Sequence, residues 1–148
     1  MANDTRVTDT ASYLEKEGFQ AMLAVNNGQN LFLDPNVVYV FSGVRPLSEA
    51  AVLIEKSGHT TLVVTPAWDG ERAAQASRTD ATIPCDDLAE GIEKALTKNK
   101  VDRAKIVTVA LPTLFGDTAA KIEKVMGGKR PEHAAYAAHV ARCRSADE

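Results

Sequence analysis

Residues 50–55 and 60–65 are two aliphatic, β-branched segments separated only by Lys56-Ser57-Gly58-His59, a four-residue hairpin loop carrying the Gly such loops need. The two segments must be antiparallel neighbours in a sheet. Short apolar runs at residues 19–25, 82–85 and 106–110 read as further strands. Between them the pattern turns helical. Val7, Ala11 and Leu14 recur at helical spacing before Gly18, residues 68–77 follow Pro66, and residues 88–98 keep Leu88, Ile92, Ala95 and Leu96 on one face. Residues 112–126 form a helix closed by Gly127-Gly128, and an Ala-rich helix runs from Pro131 to about Cys143. Asp34-Pro35-Asn36 is a helix-start signature, yet residues 36–41 fit one helical turn or a strand equally well. Helices alternating with strands around one hairpin give an α/β sandwich with a mixed sheet.

The chain has 148 residues, enough for one domain burying roughly 68–70% of its unfolded surface without help from metal or disulfides. Cys85 and Cys143 are too few for a disulfide scaffold, and Met1-Ala2-Asn3-Asp4 has neither the basic start nor the apolar run of a signal peptide. A reduced, cytoplasmic setting is the default. A net charge of -3 argues against nucleic acid or an anionic membrane as partner, and no apolar run approaches the roughly 20 residues of a membrane span. An aromatic content of 5% leaves little for a base-stacking platform.

No self-sufficient active site emerges from the motifs. Gly127-Gly128-Lys129 follows a helix and lacks the earlier Gly of a phosphate loop, and Asn26-Asn27-Gly28-Gln29-Asn30 offers one Gly where a dinucleotide fingerprint needs three. His133 and His139 are six residues apart, the wrong spacing for two ligands on one helix, and His59 lies in the hairpin loop. Asp86-Asp87 reads as a helix cap rather than a metal site. Cys85 ends an apolar strand with no basic group beside it, so a small buried residue fits better than a thiolate. Cys143 lies between Arg142 and Arg144 near the end of the chain. Ser42-Gly43 lacks the upstream Gly of a nucleophile elbow.

The segments nevertheless follow a recognisable order. Leu14-Glu15-Lys16-Glu17-Gly18-Phe19-Gln20-Ala21-Met22-Leu23 is similar to the opening helix and first strand of one domain family. Asn36-Val37-Val38-Tyr39-Val40-Phe41-Ser42-Gly43 is similar to its Asn-x-x-Tyr-x-(Thr or Ser)-Gly segment with one extra residue. Pro66-Ala67-Trp68-Asp69-Gly70-Glu71-Arg72-Ala73 resembles its strand-Pro and Asp-x-Glu-Arg-Ala helix start. Arg142-Cys143-Arg144-Ser145-Ala146-Asp147-Glu148 resembles its basic-Ser-x-x-Glu junction. Over nearly its whole length the chain resembles the N-terminal domain of the creatinase, prolidase and aminopeptidase P family.

That resemblance implies a three-layer, ribonuclease H-like α/β sandwich with a mixed, mostly parallel sheet of five or six strands. It implies a non-catalytic domain over residues 1–142, with residues 143–148 beginning the linker to a missing catalytic domain. The two Asp, one His and two Glu that hold a pair of divalent metals (Mn, Co or Zn) in the family lie beyond that junction, so no cofactor is expected in this chain. The parent protein would be a metal-dependent Xaa-Pro peptidase. The chain's partners would be its own catalytic domain and, in a homodimer, a second copy. The alternatives are a creatinase-like amidinohydrolase and a free-standing dimerisation or binding module. A ribonuclease H-like nuclease would need a basic groove, which the mild acidity disfavours. In the family, the loop after the Ser-Gly segment can wall a partner's active site. Here Arg45 and Glu49 carry that loop's charges and would meet the termini or side chain of a peptide-like substrate across the dimer. Two solvated loop charges, or a local ion pair, is the plainer alternative. The insertion at residues 27–34 and the Arg45-Pro46 pair depart from the family pattern.

Overall fold

In the computed structural model, which describes residues 5–28, 36–136 and 138–139, helix α1 (Thr5–Glu17) stops at Gly18. Gly18 takes a φ of 80°, and the Phe19 N–H donates back to the Leu14 carbonyl at 2.9 Å, closing the final turn. The chain then forms β1 (Ala21–Asn26), α2 (Val37–Ser42), β2 (Ala50–Glu55) and β3 (Thr60–Val64). A short 3-10 turn leads into α3 (Gly70–Ala76), followed by β4 (Ala81–Pro84), α4 (Leu88–Lys98), β5 (Ile106–Val109) and α5 (Thr118–Val125).

The segment left open between helix and strand is the helix α2. Its six residues include three valines, which favour strands by themselves, but both ends are capped. The Asn36 side chain accepts from the Tyr39 N–H at 3.1 Å, and Gly43, at φ 79°, donates to the Tyr39 carbonyl at 2.7 Å. Burial of Val37, Val38 and Phe41 does the rest.

The five strands lie in the order β4-β3-β2-β1-β5. β2 runs antiparallel to both β1 and β3, while β4 is parallel to β3 and β5 is parallel to β1. Four strands therefore point one way and β2 alone is reversed, which splits the four pairings evenly between parallel and antiparallel. Successive side chains alternate faces. Ala21, Leu23, Leu53, Val63 and Ile106 pack with Ile92, Leu96 and Ile122 of α4 and α5. Met22, Ala24, Val52, Ile54, Leu62 and Val107 pack with Leu14, Phe41 and Ala73 on the other side. Both faces are covered, and the result is the three-layer sandwich. On the first face α4 comes so close that a Cβ added to Gly91 would stand 2.6 Å from Val63 Cγ1 and against the Cys85 sulfur.

Two expected helices are shorter than their sequence pattern. Residues 112–126 divide into a 3-10 turn at Leu111–Thr113 and α5, because Pro112 and Gly116 (φ 63°) interrupt the run. The segment after Pro131 first lies alongside β5: Thr108 N–H donates to the Pro131 carbonyl and His133 N–H to the Thr108 carbonyl, each at 2.8 Å. Helical residues begin only at Tyr136, whose hydroxyl is 3.0 Å from Thr10 Oγ1 on α1. The expected helix end near Cys143 and the expected linker at residues 143–148 lie outside the described residues.

Candidate functional site at the strand ends

The C-terminal ends of β1, β3, β4 and β5 share one edge of the sandwich with the start of β2. The large hydrophobic side chains left exposed among the described residues are Tyr39, Leu47, Trp68 and Phe115, and all belong to connections that leave or enter the sheet at this edge. Trp68, with 76% of its surface exposed, is the most prominent. Single exposed apolar residues are ordinary, but a concentration of large ones marks an interaction surface.

The loop carrying Arg45 and Glu49 is held from beneath. Val44 and Pro46 are buried on either side of the exposed Arg45. Asp69, only 2% exposed, accepts two 2.7 Å hydrogen bonds from Arg72, Nε to Oδ1 and Nη2 to Oδ2. The same Arg72 Nη2 reaches the Arg45 carbonyl at 3.2 Å. The charge-assisted pair holds the Asp69 carboxyl below its ordinary pKa, the Arg72 hydrogen bonds outweighing the opposing effect of burial. The guanidinium carbon of Arg45 sits 4.3 Å from the centroid of the Tyr39 ring. At the other end of the loop the Glu49 carbonyl accepts from Thr65 Oγ1 at 2.5 Å. Among the described residues Arg45 and Glu49 form no ion pair with each other, so the local pair considered from sequence is not made.

The remaining candidates serve the fold. Ser42 Oγ is buried, donating to the Val38 carbonyl at 2.6 Å and accepting from the Val44 N–H at 3.0 Å. Burial pushes the Cys85 thiol up to about 11. Asp87 caps α4 by accepting from the Ala89 N–H at 3.0 Å, and Asp86 accepts from the Ala67 N–H at 2.9 Å. His59 pairs locally with Glu55 at 3.1 Å. His133 and His139 flank one ring, at 5.1 and 5.4 Å from Tyr136, since Tyr136 is three residues from each. Cys143 lies outside the described residues. Among those described, no group of three or more His, Cys, Asp or Glu is arranged to hold a metal ion, and no helix is long and apolar enough to cross a membrane.

Sequence reasoning found the loop charges and missed what supports them. The Asp69-x-x-Arg72 spacing is the i,i+3 separation of ion-pair partners on a helix, and it was the available signal. Tyr39 stands in the Asn-x-x-Tyr segment of the resemblance, but its place beside Arg45 was not legible while residues 36–41 fitted helix and strand equally well.

No sequence-family model matches the chain, and no curated protein matches it in sequence. Solved structures do. The prolidase from Pyrococcus horikoshii OT3 superposes with a TM-score of 0.67 at 20% identity over 93% of this chain, which spans 35% of that protein. The N-terminal domain of cytoplasmic peptidase PepQ from Mycobacterium tuberculosis H37Rv gives 0.69 at 13% identity, covering 93% of this chain and 99% of that one. The creatinase/prolidase N-terminal domain of an X-Pro dipeptidase from Streptococcus pyogenes gives 0.68 at 15%, again over 93% and 99%. The chain thus has the fold of the N-terminal domain of the creatinase, prolidase and aminopeptidase P enzymes.

Proposed function

We propose that this chain is the non-catalytic N-terminal domain of a dinuclear metal-dependent Xaa-Pro peptidase, serving subunit association and substrate restriction in a cytoplasmic enzyme. The observation that carries the reading is the superposition over 93% of this chain on about a third of a whole prolidase. The metals, Mn, Co or Zn, would be held by the catalytic domain and would supply activated water there. The described residues of this chain contain no donor set for them.

In this reading the strand-end surface faces the peptidase domain of a partner subunit. Arg45 is suited to its part because its backbone is tied to Arg72 and its side chain is laid against Tyr39, so little side-chain freedom remains to be lost on binding. A fixed guanidinium there would accept the C-terminal carboxylate of a short peptide, and Glu49 would face the amino end. The effect is selection by length and charge rather than chemistry.

The intact protein from its own source decides between this reading and a free-standing module. A mass well above 15.9 kDa, with metal-dependent cleavage of Xaa-Pro peptides and none by residues 1–148 alone, is the expected result. In the intact enzyme Arg45→Ala should raise KM for dipeptides several-fold with kcat little changed. Peptide cleavage by residues 1–148 alone would overturn the division of labour. Hydrolysis of creatine but not of Xaa-Pro peptides would replace the substrate class.

A further inference from the structure

Asn27-Gly28 forms the corner at which the chain leaves β1. The other asparagines of the chain precede Asp4, Asn27, Leu31, Val37 and Lys100, so Asn27 alone is followed by glycine. That difference is chemical, because a backbone nitrogen with no side chain beside it can approach the preceding side-chain amide closely. The corner also touches two loops of the strand-end surface. Half-buried Asn27 donates from Nδ2 to the Thr113 carbonyl at 3.2 Å, two residues before the exposed Phe115. Gly28, at φ 87°, donates its N–H to Asn26 Oδ1 at 2.8 Å. It lies so close to Ser48, the residue before Glu49, that an added Cβ would stand 2.9 Å from the Ser48 Cα and carbonyl carbon.

We propose that Asn27 is a site of spontaneous deamidation whose conversion cuts the tie between the β1 corner and the turn after β5. The Gly28 nitrogen loses its proton to hydroxide and attacks Asn27 Cγ. The N–Cγ bond forms, the Cγ–Nδ2 bond breaks, and Nδ2 leaves as ammonia, giving a five-membered succinimide. Water then opens the ring. Cleavage of the bond from Gly28 N to Cγ gives aspartate, and cleavage of the bond from Gly28 N to the Asn27 main-chain carbonyl carbon gives isoaspartate. One water is consumed, one ammonia is released, and nothing is oxidised or reduced. The two hydrogen bonds set the pace. Asn26 holds the proton of the attacking nitrogen and Thr113 holds the departing amide, so the folded chain reacts while the corner is open. The product cannot restore the tie, since a carboxylate only accepts and would face the Thr113 carbonyl, another acceptor. Isoaspartate also lengthens the main chain by one carbon beside Gly28, where the Ser48 backbone leaves no room. Conversion therefore loosens the loops bearing Phe115 and Glu49. The chemistry depends on this chain alone and not on the peptidase reading.

Ageing the purified chain at mildly alkaline pH, with peptide mapping that separates aspartate from isoaspartate, tests the proposal. Both products should accumulate at position 27 ahead of every other asparagine, several-fold more slowly in the folded chain than in urea. Asn27→Gln should abolish the conversion there, because a six-membered ring closes far more slowly. Asn27→Asp, with its fold verified by circular dichroism, should speed amide hydrogen exchange several-fold at residues 111–115 and 47–49, and the aged wild-type chain should show the same change. Conversion that begins at another asparagine, or a folded chain that keeps Asn27 intact while the unfolded chain converts fully, overturns the assignment. Equal rates in the folded and unfolded chain, or exchange unchanged in both Asn27→Asp and the aged protein, overturns the role of the tie.

Discussion

Asp69 is a carboxylate almost withdrawn from water, and Arg72 keeps it charged. Because the folded state lowers its pKa below 3.8, the stabilisation is fully present above that value and is lost as the pH falls through the folded one. Asp69→Asn should therefore lower stability at neutral pH by about 1–3 kcal/mol and shrink the drop between pH 7 and pH 3, as urea midpoints at the two values will show. Cys85 behaves in the opposite sense. With its thiol pushed up to about 11, it stays protonated near neutrality. In a Cys143→Ser background a thiol reagent should label it only at the rate of unfolding, and fast labelling of the folded chain would contradict its burial. The burial of Cys85 and the capping by Asp87 were legible because each depends on residues adjacent in sequence. The platform under Arg45 was not, since Tyr39, Asp69 and Arg72 meet the loop only through the fold.

Elements were legible where their period was long enough. α1 and α4 show the 3.6-residue spacing over several turns, and the β2–β3 hairpin is announced by its loop. α2 was undecidable because six residues with three valines satisfy both periods, and the tie is broken by Asn36 and Gly43 together with burial against the sheet. The run after Pro131 looked helical because alanines dominate it, while its backbone is first engaged by Thr108, a residue 23 positions upstream of Pro131. Close packing of α4 was equally invisible in sequence, Gly91 being an ordinary weak point in a helix until the sheet is placed beneath it. Gly91→Ala improves helix propensity yet should destabilise the protein by about 1–3 kcal/mol, because the new methyl meets Cys85 and Val63. A denaturant midpoint that rises instead would mean that α4 can shift outward freely.

At the scale of the whole molecule the exposed large side chains are polarised toward one end, whereas the opposite end carries the polar hairpin turn with Lys56 and His59. Trp68 is outside the core, so Trp68→Ser should change stability by no more than about 0.5 kcal/mol. Under the proposed function the same substitution should weaken association with a peptidase domain, measured as loss of the assembled species in sedimentation of the intact protein. A large loss of stability would move Trp68 from the surface into the packing. The general architecture was accessible from segment order, since alternating helices and strands admit few sandwiches. Which strand pairs with which was not, because β1 takes its neighbours from two distant parts of the chain, Ala21 facing Glu55 on one side and Ile106 on the other. That placement sets a timetable for biosynthesis. The strand at residue 21 leaves the ribosome 85 residues before its parallel neighbour begins at residue 106, an interval of about 4–17 s at ordinary elongation rates. Throughout it one edge of β1 is open, so the nascent chain depends on whatever shields that edge until β5 emerges.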